Sequence, residues 1–218
     1  MLIGENWAIF DLDGTLNQTN LVSVDAHQRV EREMGLPEQS AETIIATFGG
    51  RACDTYPLLA PGFSEKQLRE YQENVARAER ENLPKMGRFY QGCDEMLLSL
   101  RNKGWHTAVC SNATERYIEC VLDAIRLRSL IDELRPLEDE LTKIDTLRLL
   151  LQKVQPQTAI MIGDRHYDAQ AARENGIPFI GCCYGFAPNE MKTERYHVTK
   201  PLEIVEIAEE LKNKILPK

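Results

Sequence analysis

The chain has 218 residues, 43% hydrophobic and 28% charged, an ordinary balance for a globular protein. That length predicts one core domain carrying a substantial insert. A net charge of −8 argues against a nucleic-acid or anionic-membrane partner, and no apolar run approaches the ~20 residues of a membrane span.

Residues 7–11, WAIFD, read as a short buried strand. The strand runs into Asp11 and Asp13, then Gly14 and Thr15. In extended backbone, residues i and i+2 point the same way, so the two carboxylates would lie together. Like charges that close raise one pKa unless a cation intervenes. The pair suits a nucleophile with an acid/base partner, a hard-cation site, or both. Taken alone, Asp13-Gly14 better suits a turn; three polar strand ends together do not.

A mostly polar helical stretch follows over 18–83, with breaks at Gly35–Pro37 and Gly49-Gly50. Residues 64–83 are amphipathic: Leu68, Tyr71, Val75 and Ala78 share a face. Glu70, Glu73, Glu79 and Glu81 read as the solvated side of that helix. Residues 84–92 read as a strand-poor return to the core. In FGGRACD, 48–54, two glycines would let backbone approach a ligand. Arg51 could then grip an anionic or hydroxyl-rich leaving group. The alternative is a helix–helix turn with an exposed arginine.

From residue 93 the pattern alternates. A helix over 93–103 stops at Gly104, and WHTAVC, 105–110, is a strand that ends in Ser111-Asn112. A helix over 113–125, a short strand at 131–134 and a helix over 142–154 follow. TAIMIG, 158–163, is a strand that ends in Asp164-Arg165, with Asp168 just beyond. A helix over 166–175 stops at Gly176. A strand at 178–182 and a closing helix over 201–215 complete the chain. Strand–helix alternation predicts an α/β fold with a doubly wound parallel sheet, whose ligands bind at the carboxyl ends of the strands.

Three strands therefore deliver polar groups to one edge. Asp164 adds a third carboxylate to Asp11 and Asp13, which suits an oxygen-only, Mg2+-type site. Thr142 reads as a helix N-cap with Asp145 completing a weak capping box. Lys143 then sits in the first turn, where the helix dipole disfavours a cation. It is a candidate anion ligand, or else a solvated surface lysine. The four histidines are dispersed and suggest no metal cluster. Six scattered cysteines without a CxxC pair, and an N-terminus without signal-peptide character, fit a reducing cytoplasm.

These residues together resemble the haloacid dehalogenase (HAD) superfamily of phosphotransferases, over nearly the whole chain. AIFDLDGTL matches its first motif, TAVCSN its second, Lys143 its third, and MIGDRHYD its fourth. The stretch from Gly163 to Phe186 is similar to the phosphoglycolate phosphatase-like branch. The resemblance implies a Rossmann-like core over 1–16 and 88–218, with a helical cap domain over 17–87. It implies Asp11 as nucleophile and Asp13 as general acid/base. It implies Mg2+ held by Asp11, the Asp13 carbonyl and Asp164, with Asp168 ordering the metal's water. Ser111, Asn112 and Lys143 would bind the phosphoryl group, and Arg51 would serve specificity. The expected activity is Mg2+-dependent hydrolysis of a small phosphorylated metabolite: phosphoglycolate-, sugar-phosphate- or nucleotide-like. A phosphomutase of the β-phosphoglucomutase type is the alternative. A non-catalytic binding protein should have lost Asp11, Asp13, Lys143 or Asp164, and all four are present.

Overall fold

A computed structural model describes residues 5–138 and 141–215. The apolar runs become the strands of one parallel sheet. They are β1 (Asn6–Phe10), β2 (Trp105–Cys110), β3 (Glu133–Arg135), β4 (Thr158–Gly163), β5 (Phe179–Cys182) and β6 (His197–Val198). The order is β3-β2-β1-β4-β5-β6, with every pair parallel. All of β4 and all but the first residue of β1 are buried, as expected of strands covered on both faces.

Alternation along the strands sorts side chains between two apolar clusters. Phe10, Val109, Ile160 and Ile162 pack beneath α5 (Cys93–Asn102), α6 (Glu115–Ala124) and α10 (Glu203–Ile215). Ile9, Ala108, Cys110 and Met161 pack beneath α7 (Lys143–Val154) and α8 (His166–Glu174). The sheet is doubly wound, as the alternation predicts. Cys110 and both tryptophans are buried core residues.

Register sets the site. Phe10 lies opposite Val109 on one side and Ile162 on the other. Asp11 therefore leaves the sheet level with Cys110 and Gly163, and Ser111 and Asp164 follow one residue later at the same edge. The chain crosses from one side of β1 to the other between β2 and β4, so this edge is also the topological switch point.

The insert supplies α1 (Asn20–Glu33), α2 (Ala41–Ile45), α3 (Ala52–Leu59) and α4 (Glu65–Met86). Its helices bury an apolar cluster of their own, built on Val30, Ile44, Tyr71 and Val75. The expected breaks carry left-handed glycines, Gly35 at φ 67° and Gly49 at φ 83°. A capping box between Ser64 and Gln67 starts α4. Where the insert meets the sheet, its two connections run side by side: Gln18 N donates to Arg88 O, and Tyr90 N to Leu16 O.

Two details differ from the sequence reading. Helix α4 continues through Pro84 to Met86 instead of ending at residue 83. Pro84 lies in the last turn, where it forfeits one ladder hydrogen bond just before the helix ends. The short β6 and the one-turn α9 (Pro188–Met191) have no periodic signature and were not expected. Among the described residues, no helix is long and apolar enough to cross a membrane.

Candidate active site

Asp11 is the first residue past β1 and is only 3% exposed. Its Oδ1 accepts a hydrogen bond from Lys143 Nζ at 2.5 Å. The same ammonium lies 2.9 Å from Asp168 Oδ1. Lys143 opens α7 as expected, and the Thr142–Asp145 capping box is present. The dipole's objection to a cation there is answered by two carboxylates. Burial works against the lysine's charge, but Asp11 and Asp168 hold its pKa above the ordinary value. The solvated alternative for Lys143 is excluded by its burial.

Asp164 follows β4. Its Oδ2 accepts from Phe186 N at 2.6 Å, while its buried Oδ1 has no hydrogen-bond partner. Asp11, Asp164 and Asp168 each offer an oxygen within 4.8 Å of the others. This crowding requires backbone to approach closely. A Cβ on Gly14 (φ 86°) would fall 2.3 Å from Asp164 Oδ2, so no other residue fits the turn after β1. Burial, and then its acidic neighbours, push Asp164 well above the usual carboxylate range. Burial likewise pushes Asp11 up to about 7, against the pull of Lys143.

These observations fit a divalent cation. The donors are all oxygen, one buried oxygen is orphaned, and a cation would relieve the mutual repulsion. Asp11 Oδ2 and Asp164 Oδ1 remain available to hold it, since Lys143 and Phe186 N take the other oxygens. Asp168 is not equivalent to them: Lys143 occupies its Oδ1, and Arg165 N donates to its Oδ2 at 3.1 Å.

Asp13 lives in a different environment. Its Oδ1 accepts from Thr19 Oγ1 at 2.5 Å, Asn17 Nδ2 at 3.1 Å and Tyr117 Oη at 3.1 Å. Burial raises its pKa, and these three donors pull it back. Ser111 is buried at the end of β2, and its Oγ accepts from Ala113 N at 3.2 Å.

Asp11, Asp13, Ser111 and Asn112 line one cavity of about 360 Å³, closed on its far side by the insert. Asn112 reaches the insert itself: its Nδ2 donates to Gly49 O at 2.8 Å. Arg165 Nη1 donates to the neighbouring Phe48 O, also at 2.8 Å. Arg51 is not brought into the cavity. Its Nε pairs with Asp54 Oδ2 at 2.7 Å, one turn along α3.

Glu79 corrects the sequence reading. Glu70, Glu73 and Glu81 are exposed as expected, but Glu79 is half-buried and faces the cavity. It lies four residues after buried Val75, at the flank of the apolar stripe. Ser23 Oγ donates to its Oε1. Burial pushes this carboxyl up to about 7. Asn17, Thr19, Tyr117 and Glu79 are the site residues that sequence reasoning missed. Thr19 had a signal, being close behind the first motif; Tyr117 is 104 positions from its partner and had none.

A family model described as haloacid dehalogenase-like hydrolase matches residues 8–182. The phosphoglycolate phosphatase of Aquifex aeolicus (strain VF5) is 25% identical over 208 residues, covering 91% of this chain and 94% of that protein. The pyrophosphatase PpaX of Bacillus pumilus (strain SAFR-032) is 23% identical over 193 residues, covering 85% and 86%. Among solved structures, that of a predicted phosphatase from Clostridium acetobutylicum superposes with a TM-score of 0.83 at 23% identity, covering 95% of this chain and 100% of that one.

Proposed function

The chain belongs to the haloacid dehalogenase-like hydrolases, and from that premise we propose that it hydrolyses a small phosphate monoester through an aspartyl-phosphate on Asp11. The observation that carries this reading is the division between two neighbouring carboxylates. Asp11 is paired with a lysine, while Asp13 is held by three neutral donors. Two carboxylates in unlike environments are suited to unlike roles.

Asp11 Oδ would attack phosphorus in line with the leaving oxygen. Lys143 offsets the charge that gathers on the phosphoryl oxygens, and Ser111 Oγ donates a hydrogen bond to one of them. Asp13 gives a proton to the departing oxygen. It then takes one from the water that cleaves the aspartyl-phosphate, so its protonation state is restored. Thr19, Asn17 and Tyr117 fix Asp13 for both transfers. Asp11, Asp164 and the Asp13 carbonyl would hold Mg2+, which supplies charge neutralisation at the phosphoryl group. Residues 17–87 act as the cap: they close the cavity and exclude water from it.

The test is phosphate release from a panel of small monoesters. The expected result is turnover with Mg2+ that is lost with EDTA and restored by adding Mg2+ back. Asp11→Asn should reduce kcat by about 10^4 or more, as loss of a nucleophile does. Comparable turnover by Asp11→Asn would refute the covalent mechanism.

A further inference from the structure

The cavity's chemistry beyond the reacting atoms depends on Glu79. It rests on α4, in the insert, and shares the cavity with Asp11 and Asp13. Tyr117 lines the same cavity, and its hydroxyl donates to Asp13 at 3.1 Å. Only Oε1 of Glu79 has a protein partner among the described residues, Ser23 Oγ. The other oxygen, on a half-buried side chain facing the space next to the acid/base, is an acceptor available to a ligand. Arg80 and Arg116 also line the cavity, but both side chains are exposed. Water and salt screen their charge far more than that of a carboxylate inside.

We propose that Glu79 selects the leaving group: the part of the substrate beyond the scissile phosphate donates hydrogen bonds and carries no negative charge. Hydroxyl-bearing and ammonium-bearing phosphate esters fit. A carboxylate or a second phosphate in that place would face an anion without a buried counter-charge, which costs more than a missing contact does. An acceptor facing the cavity also discriminates against a ligand that leaves it unpaired. This rests on the phosphatase reading and narrows it. It separates this chain from relatives named for phosphoglycolate and pyrophosphate.

Three esters of similar size isolate the effect: 2-hydroxyethyl phosphate, O-phosphoethanolamine and 2-phosphoglycolate. They are assayed with Mg2+ at about pH 8.5, where Glu79 is ionised. The wild type should prefer the first two to phosphoglycolate by about tenfold or more in kcat/KM. Glu79→Gln keeps the shape and an acceptor but removes the charge. It should shrink that preference about tenfold, chiefly by improving phosphoglycolate. The readout is a ratio within one protein, so partial misfolding of the variant does not alter it. Equal use of all three esters by the wild type, or an unchanged ratio in Glu79→Gln, overturns the role of Glu79 while the phosphatase stands. No phosphate release from any ester by wild type, matching Asp11→Asn, overturns the underlying reading and this inference together.

Discussion

The cavity has two unlike walls. At the sheet edge Asp11, Asp13 and Ser111 line it, and behind them charged side chains hold one another: Lys143 bridges Asp11 and Asp168, and backbone N–H groups of Phe186 and Arg165 fix Asp164 and Asp168. On the insert side, Glu79 has a single partner, and Arg80 and Arg116 make no ion pair among the described residues. The first wall is arranged before any ligand arrives, which is what electrostatic stabilisation of a transition state requires. The second leaves polar groups for the ligand to satisfy, which is what selection requires. On the proposed mechanism, chemistry and choice would be borne by different layers of the fold. Substitutions on the first wall should change kcat; substitutions on the second should change which ester is used.

Lys143→Met is the strongest challenge to that division. It keeps most of the side-chain volume but leaves Asp11 and Asp168 buried without their cation. Removing one partner of a buried ion pair costs about 3–5 kcal/mol of stability. Losing a positive charge at the phosphoryl group should lower kcat by about 10^2- to 10^3-fold. Steady-state kinetics and a thermal melt read the two effects separately. A variant that melted early but kept its kcat would make Lys143 a structural residue only, and the contrast between the walls would fail.

A smaller effect is expected from Tyr117→Phe, which removes one of three donors on Asp13. Thr19 and Asn17 remain, so kcat should fall about tenfold, within the worth of one hydrogen bond to a charged group. The sign of the accompanying pH effect is fixed. A donor favours the ionised carboxylate, so removing it raises the pKa of Asp13. The limb of the pH–kcat profile that reports Asp13 should move to higher pH. A kcat loss with an unmoved profile would mean that Tyr117 acts through packing.

The same contrast explains what was legible in the sequence. The strands ending at Phe10, Cys110 and Gly163 give way at once to Asp11, Ser111 and Asp164. Parallel register then brings the polar ends together. Periodicity and position were enough to find that wall. Lys143 announced itself by sitting where a helix dipole repels it. The insert wall has no such grammar. Glu79 belongs to a run of glutamates, and only its place at the flank of the buried stripe separates it from Glu73 or Glu81. Tyr117 meets Asp13 through tertiary packing of α6 against the sheet edge, which no local pattern encodes. Arg51 had the right composition for a ligand contact, yet Asp54 stands one turn away and pairs with it.

Asn112 lies where the walls meet, and its substitution should give the smallest change. The residue was expected to bind phosphate, but its amide donates to Gly49 O in the insert loop. Arg165 makes a second such tie through Phe48 O, and the Phe48 ring packs edge-on against Phe186 with centroids 5.1 Å apart. Asn112→Ala removes one tie and leaves the others. A neutral hydrogen bond contributes about 1 kcal/mol, so closure of the loop over the ligand should weaken about fivefold. If the amide serves the loop, KM rises by about that factor while kcat stays within about twofold, because the reacting groups are untouched. If instead the amide turns to the phosphoryl group during reaction, kcat falls by about 10^2 and KM changes little. Kinetics on one ester, with kcat and KM resolved, assigns Asn112 to one wall or the other.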